Sequence, residues 1–194
     1  MLTELVRAAV ATLRDPRAGA RRVMAVRMER RQRWEVLLLI AVLSAALAYL
    51  SFLLNARLGH LGQGARMMSP FAMLAAQVVV LWVMVFAVHH LGRLMGGKGS
   101  LDDAILLVAW IQAILIGMQI LQIGALVLLP ALSVLLGLAG FILLFWLLTV
   151  FVAELHGFRS LVAVFLSVLL VMIVLATLMR VLFGMLGVDF LGVV

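Results

Sequence analysis

The side chains with the greatest chemical reach in this sequence are His89 and His90, which close one long apolar run, and Glu154 and His156, which follow another. Imidazoles and carboxylates are common ligands of zinc and other transition metals, so these four form the candidate metal centre. Their spacing weighs against it. Adjacent residues on a helix diverge by about 100°, so His89 and His90 cannot share one ion as an i, i+4 pair would. The simpler expectation is a polar cluster in which Glu154 pairs with His156, Arg159 or a cation of the 92–103 loop. No cofactor is expected.

The segment Gly92-Arg93-Leu94-Met95-Gly96-Gly97-Lys98-Gly99-Ser100 approaches a phosphate-binding loop, but Gly99 stands where that loop needs Ser or Thr after the lysine. It follows no strand that would aim its amides at a phosphate. The expectation is a flexible turn ending in Ser100, with Asp102 and Asp103 in the first turn of the next helix, where its dipole favours them. Gln112 and Gln119 are seven apart and share a helical face. Such amides in lipid seek hydrogen bonds across helices at roughly 1 kcal/mol each. The alternative is that they line a polar path in a small-molecule or lipid transport component. Pumps and ion-coupled transporters more often carry an ionisable residue at the bilayer centre, and none is expected there in this chain. Gly137 and Gly140 would let helices approach closely, which suits a packed bundle or a homo-oligomer. Neither a Ser-His-Asp grouping, nor paired carboxylates, nor an HExxH pattern occurs, so the sequence gives no support to an enzyme.

What must position these residues is set by composition. The chain has 194 residues, of which 67% are hydrophobic and 12% charged, whereas a soluble domain is about half apolar and a quarter charged. That much apolar surface needs lipid to cover it. A bilayer core of roughly 30 Å takes about 20 residues of helix, and five segments reach that length, near 34–54, 71–91, 104–126, 131–152 and 161–183. No charge occurs between Ala104 and Ala153, and Pro130 marks the turn that divides this stretch into two spans. The segments are apolar on every side and lack the alternation of barrel strands. The fold class is an all-α integral membrane protein, a bundle of five transmembrane helices behind a basic amphipathic arm. Residues 1–33 make the arm and 34–194 the membrane domain.

Cysteine is absent, which removes disulfides and thiolate metal sites. Nine of the fifteen Lys and Arg residues precede Trp34. With the N-terminus inside, the inner segments 1–33, 92–103 and 153–160 hold twelve of these cations and the remainder of the chain three. The positive-inside rule therefore places the N-terminus in the cytoplasm and the C-terminus outside, in a multi-pass protein of a cell membrane. A first run of full span length behind 33 residues does not read as a cleaved signal peptide. The charge bias belongs to topology and lipid, and no nucleic-acid partner is expected. Asp15 before Pro16 is a helix start, so the arm divides into two short helices. Leu2, Leu5, Val6, Ala9 and Leu13 fall on one face of the first. In the second, Val23, Met24 and Met28 oppose Arg17, Arg21, Arg22, Arg27, Arg30, Arg31 and Arg33, with Arg14 just before them. Anionic headgroups attract such cations at about 1 kcal/mol each, so the arm is expected to lie on the membrane.

Three stretches carry a family resemblance: Asp15-Pro16-Arg17, Gly97-Lys98-Gly99-Ser100-Leu101 leading to Ala109-Trp110, and Ala153-Glu154-Leu155-His156-Gly157-Phe158. In their order the chain resembles the Yip family, five-span membrane proteins named for interaction with Ypt/Rab GTPases, and it is most similar to the bacterial branch. The Asp-Leu-Tyr-Gly-Pro motif of the eukaryotic members is absent, and Trp110 stands where a tyrosine is common. The resemblance implies a five-span bundle with a cytoplasmic N-terminus and brings no catalytic residue. The expected function is non-enzymatic association, with anionic membrane lipids or with a membrane protein partner, through the arm and the 92–103 and 153–160 loops.

Overall fold

A computed structural model of the chain describes residues 2–60 and 69–185. Among the described residues the protein is helical throughout: α1 (Leu2–Arg14), α2 (Pro16–Met24), α3 (Arg30–Arg57), α4 (Pro70–Leu94), α5 (Leu101–Leu128), α6 (Pro130–His156) and α7 (Leu161–Met185). The last five are long and apolar enough to cross a membrane. Arg66 and the C-terminal Gly192-Val193-Val194 lie outside the described residues.

Local chemistry sets the helix starts. The Asp15 carboxylate accepts the Ala18 amide at 2.9 Å, with Pro16 in the first turn, so the arm breaks into two helices there. Ser69 caps α4 by accepting from Ala72 at 3.1 Å, and Ser100 caps α5 by accepting from Asp103 at 3.1 Å. Pro130 opens α6, where its missing N–H costs nothing. Gly157 ends that helix at φ 74°, a left-handed conformation that glycine adopts without a Cβ clash.

Helix α5 is central, packing against α6, α3, α4 and α2, while α7 leans on α6. The core joins Leu37 and Ala41 of α3, Leu81 and Val85 of α4, Ile105, Leu107 and Ile111 of α5, Leu147 and Phe151 of α6, and Val164 of α7. Alanines at 41, 45, 104 and 109 are buried at these crossings, as expected of helices that pack without a hydrophobic drive between them. At 28 residues, α3 and α5 are each ~42 Å long, so their ends pass beyond a ~30 Å hydrocarbon core. One such end gathers the start of α3, the end of α4, the start of α5, the end of α6 and the start of α7. It is called the arm end below, because the arm docks there.

The two helices of the arm meet the bundle differently. Helix α2 packs against α5 and α6, with Gly19 and Ala20 buried and Val23 and Met24 against the core. Its small-residue face, Gly19 and Ala20, lets it approach the bundle closely. Helix α1 instead packs on α2 and leaves Leu5, Val6, Val10 and Leu13 open.

Candidate functional site

Of the polar residues singled out in the sequence, Arg21, Arg30, Arg33, Asp102, Asp103, Glu154 and His156 meet at the arm end, in two neighbouring clusters. The first surrounds His156, which is buried at the last position of α6. Its Nδ1 accepts the Gly99 N–H at 3.1 Å, and its Nε2 lies 3.0 Å from the Val88 carbonyl oxygen. An amide N–H can only donate, so Nδ1 must be the unprotonated nitrogen and Nε2–H donates to Val88. Both ring nitrogens are occupied by backbone, which leaves no lone pair for a metal.

Glycine is required around this ring for steric reasons. A Cβ on Gly92 or Gly97 would collide with the His156 imidazole, and one on Gly99 would stand 2.6 Å from Leu155 Cγ and 2.8 Å from His156 Cε1. Gly96 turns the loop at φ 86°. The segment that approaches a phosphate-binding loop is thus a cradle for a histidine, and the expectation of a free flexible turn is corrected: the imidazole pins it to α4 and α6. Phe158 stacks on the same ring at 5.6 Å.

The second cluster ties the arm to the bundle. Arg21 of α2 meets Glu154 of α6 at 2.8 Å, Arg30 meets Asp102 at 2.8 Å, and Arg33 meets Asp103 at 3.3 Å while also donating to the Met28 carbonyl at 3.1 Å. Glu154 therefore pairs with the arm, and not with His156, Arg159 or the 92–103 loop as expected. Asp102 and Asp103 answer to named cations of α3 as well as to the helix dipole. The Trp110 indole of α5 donates to Thr12 Oγ1 at 3.1 Å, and that hydroxyl donates to the Ala8 carbonyl at 2.8 Å, so α1 is held as well. A Cβ on Gly19 would stand 2.6 Å from Thr12 Cγ2, which explains why a glycine lies at the α1–α2 crossing.

The remaining expected site residues divide. Arg31 pairs with Glu35 one turn away at 2.7 Å. Arg14, Arg17, Arg22 and Arg27 are exposed and make no ion pair with the described residues. His89 and His90 stack edge to face at 4.8 Å, with His90 on Phe86 at 6.0 Å, in an aromatic run that continues through Trp34 and Trp82. Among the described residues, no three His, Cys, Asp or Glu side chains are placed to hold one metal ion. Gln112 Nε2 donates to Ser44 Oγ at 2.8 Å, and Gln119 Nε2 reaches the Ser44 carbonyl at 3.5 Å, a long contact. Gly137 faces the Gln122 amide, where a Cβ would meet it at 3.0 Å, whereas Gly140 faces open space.

Sequence reasoning missed the roles of Gly92, Gly97, Gly99 and Thr12. Their signal was present as glycines crowded into one short loop and a lone threonine on an otherwise apolar helix face, but each partner lies far away in the chain. Of the three stretches that carried the family resemblance, the second and third enter these clusters, through Gly99, Trp110, Glu154, His156 and Phe158, while Asp15-Pro16-Arg17 supplies the break between α1 and α2. A family model described as the Yip1 domain matches residues 10–181. No curated protein and no solved structure matches the chain.

Proposed function

The chain belongs to the Yip1 domain family, and from that membership we propose that it is a non-enzymatic multi-pass membrane protein acting by association, with the arm of residues 1–33 as its contact element. The division of the arm's cations carries this reading. Arg21, Arg30 and Arg33 are committed to Glu154, Asp102 and Asp103, while Arg14, Arg17, Arg22 and Arg27 point away from the bundle without an ion pair among the described residues. The first set fixes the arm; the second remains available for anionic headgroups, each contributing about 1 kcal/mol. Beside them the open face of Leu5, Val6, Val10 and Leu13 suits the headgroup–acyl boundary, so α1 acts as an interfacial helix.

In this reading the arm end is cytoplasmic, the C-terminus lies outside, and the membrane is a bacterial inner membrane. The same surface would receive a membrane protein partner. A transport role would need Gln112 and Gln119 to line a path, and the hydrogen bond from Gln112 to Ser44 favours helix packing instead.

Hydrogen exchange on the full chain in vesicles tests the lipid reading. Exchange in α1 should be slower in vesicles containing phosphatidylglycerol than in pure phosphatidylcholine. Joint substitution Arg14→Gln, Arg17→Gln, Arg22→Gln and Arg27→Gln should remove the difference. Exchange that ignores lipid charge in the unsubstituted chain would overturn it.

A further inference from the structure

We propose that the groove between α6 and α7 holds one acyl chain of an anionic phospholipid whose headgroup sits at Arg159. The groove is an open trough of about 760 Å³, walled by Phe141, Phe145 and Trp146 of α6 and by Val162, Phe165 and Met172 of α7. The one hydroxyl in the wall, on Thr149, already donates to the Phe145 carbonyl at 2.7 Å, so the lining suits hydrocarbon.

Length and charge identify the occupant. The wall runs ~14 Å along α6 (141–150) and ~22 Å along α7 (161–176), enough for the ~15 Å of one leaflet of a ~30 Å core. It opens at the arm end, where Leu161 and Val162 directly follow Arg159 and Ser160. Arg159 is exposed and pairs with no acid among the described residues. It also stands beside the start of α7, whose dipole adds to the attraction for a phosphate. A hydrocarbon trough one leaflet deep under an uncompensated cation has the chemistry of a single anionic lipid. The site involves α6 and α7 and is independent of the arm.

The test is native mass spectrometry of the full chain, reconstituted in vesicles of equal phosphatidylglycerol and phosphatidylcholine and extracted in mild detergent. The unsubstituted protein should retain one phosphatidylglycerol per chain. Leu169→Trp, which fills the groove, should lose it, and Ala176→Phe at the deep end should lower its occupancy. Arg159→Gln should keep a lipid but lower the preference for phosphatidylglycerol about fivefold. The variant neutralised at Arg14, Arg17, Arg22 and Arg27 should retain the lipid unchanged, which separates this site from the arm reading. No lipid on the unsubstituted chain, equal retention by Leu169→Trp and Ala176→Phe, or a lipid-free dimer that Leu169→Trp dissociates would each overturn the proposal.

Discussion

Helices α5 and α6 carry no charge from Ala104 to Ala153, yet their two ends are packed in opposite ways. At the arm end, α5 is buried without a break from Ala104 to Ala109, and α6 from Leu147 to Ala153. Neither stretch has a face turned to lipid. At the far end of the same two helices, Leu121, Leu128, Val134 and Leu135 are each more than half exposed. Hydropathy is therefore uninformative about where the protein is compact. What distinguishes the arm end is a scaffold of polar contacts, the His156 cradle and the arm's ion pairs, which fixes α2, α3, α4, α5 and α6 relative to one another.

If that contrast holds, substitutions at the two ends should differ sharply. The largest effect is expected from Gly99→Val, whose side chain would run into Leu155 and His156; overpacking should cost about 1–3 kcal/mol or more, read as a lowered unfolding temperature in detergent. Gly140→Val in the far half of α6 meets open space and should stay within about 0.5 kcal/mol. Equal losses would break the comparison. Next is His156→Phe, which keeps an aromatic ring but orphans the Gly99 N–H and should cost about 1–3 kcal/mol. Trp110→Phe removes the bond to Thr12 and should cost about 1 kcal/mol, with hydrogen exchange in α1 rising while α2 stays protected. Smallest is Arg21→Gln, because the pair with Glu154 is partly solvated; the cost should fall below about 1 kcal/mol and shrink further at high salt.

How much of this could be seen in the sequence follows from the range of each signal. Five helices of spanning length and the break at Asp15-Pro16 are local facts, written in runs of apolar residues and in a capping side chain, and they stand in the structure. The polar group at the arm end was legible as a set of residue types, but its pairing was not. Glu154 lies 133 positions from Arg21, and Gly99 lies 57 from His156, so nothing local connects them. Charge counting placed the arginines near a membrane surface without separating those that hold the arm from those left outside. The glycine loop misled for a physical reason: close approach to a phosphate and close approach to an imidazole make the same demand on a backbone, and only the partner differs.

Helix α2 is docked on the bundle with Arg21 towards Glu154, while Arg22, at the neighbouring position, faces away. The chain has no cysteine, so a pair of introduced thiols reports on this without interference. In intact membranes, a short thiol-reactive cross-linker should join Arg21→Cys to Glu154→Cys rapidly within one chain, and Arg22→Cys to Glu154→Cys far more slowly. Equal rates for the two pairs, or no intramolecular product from the first, would contradict a docked arm.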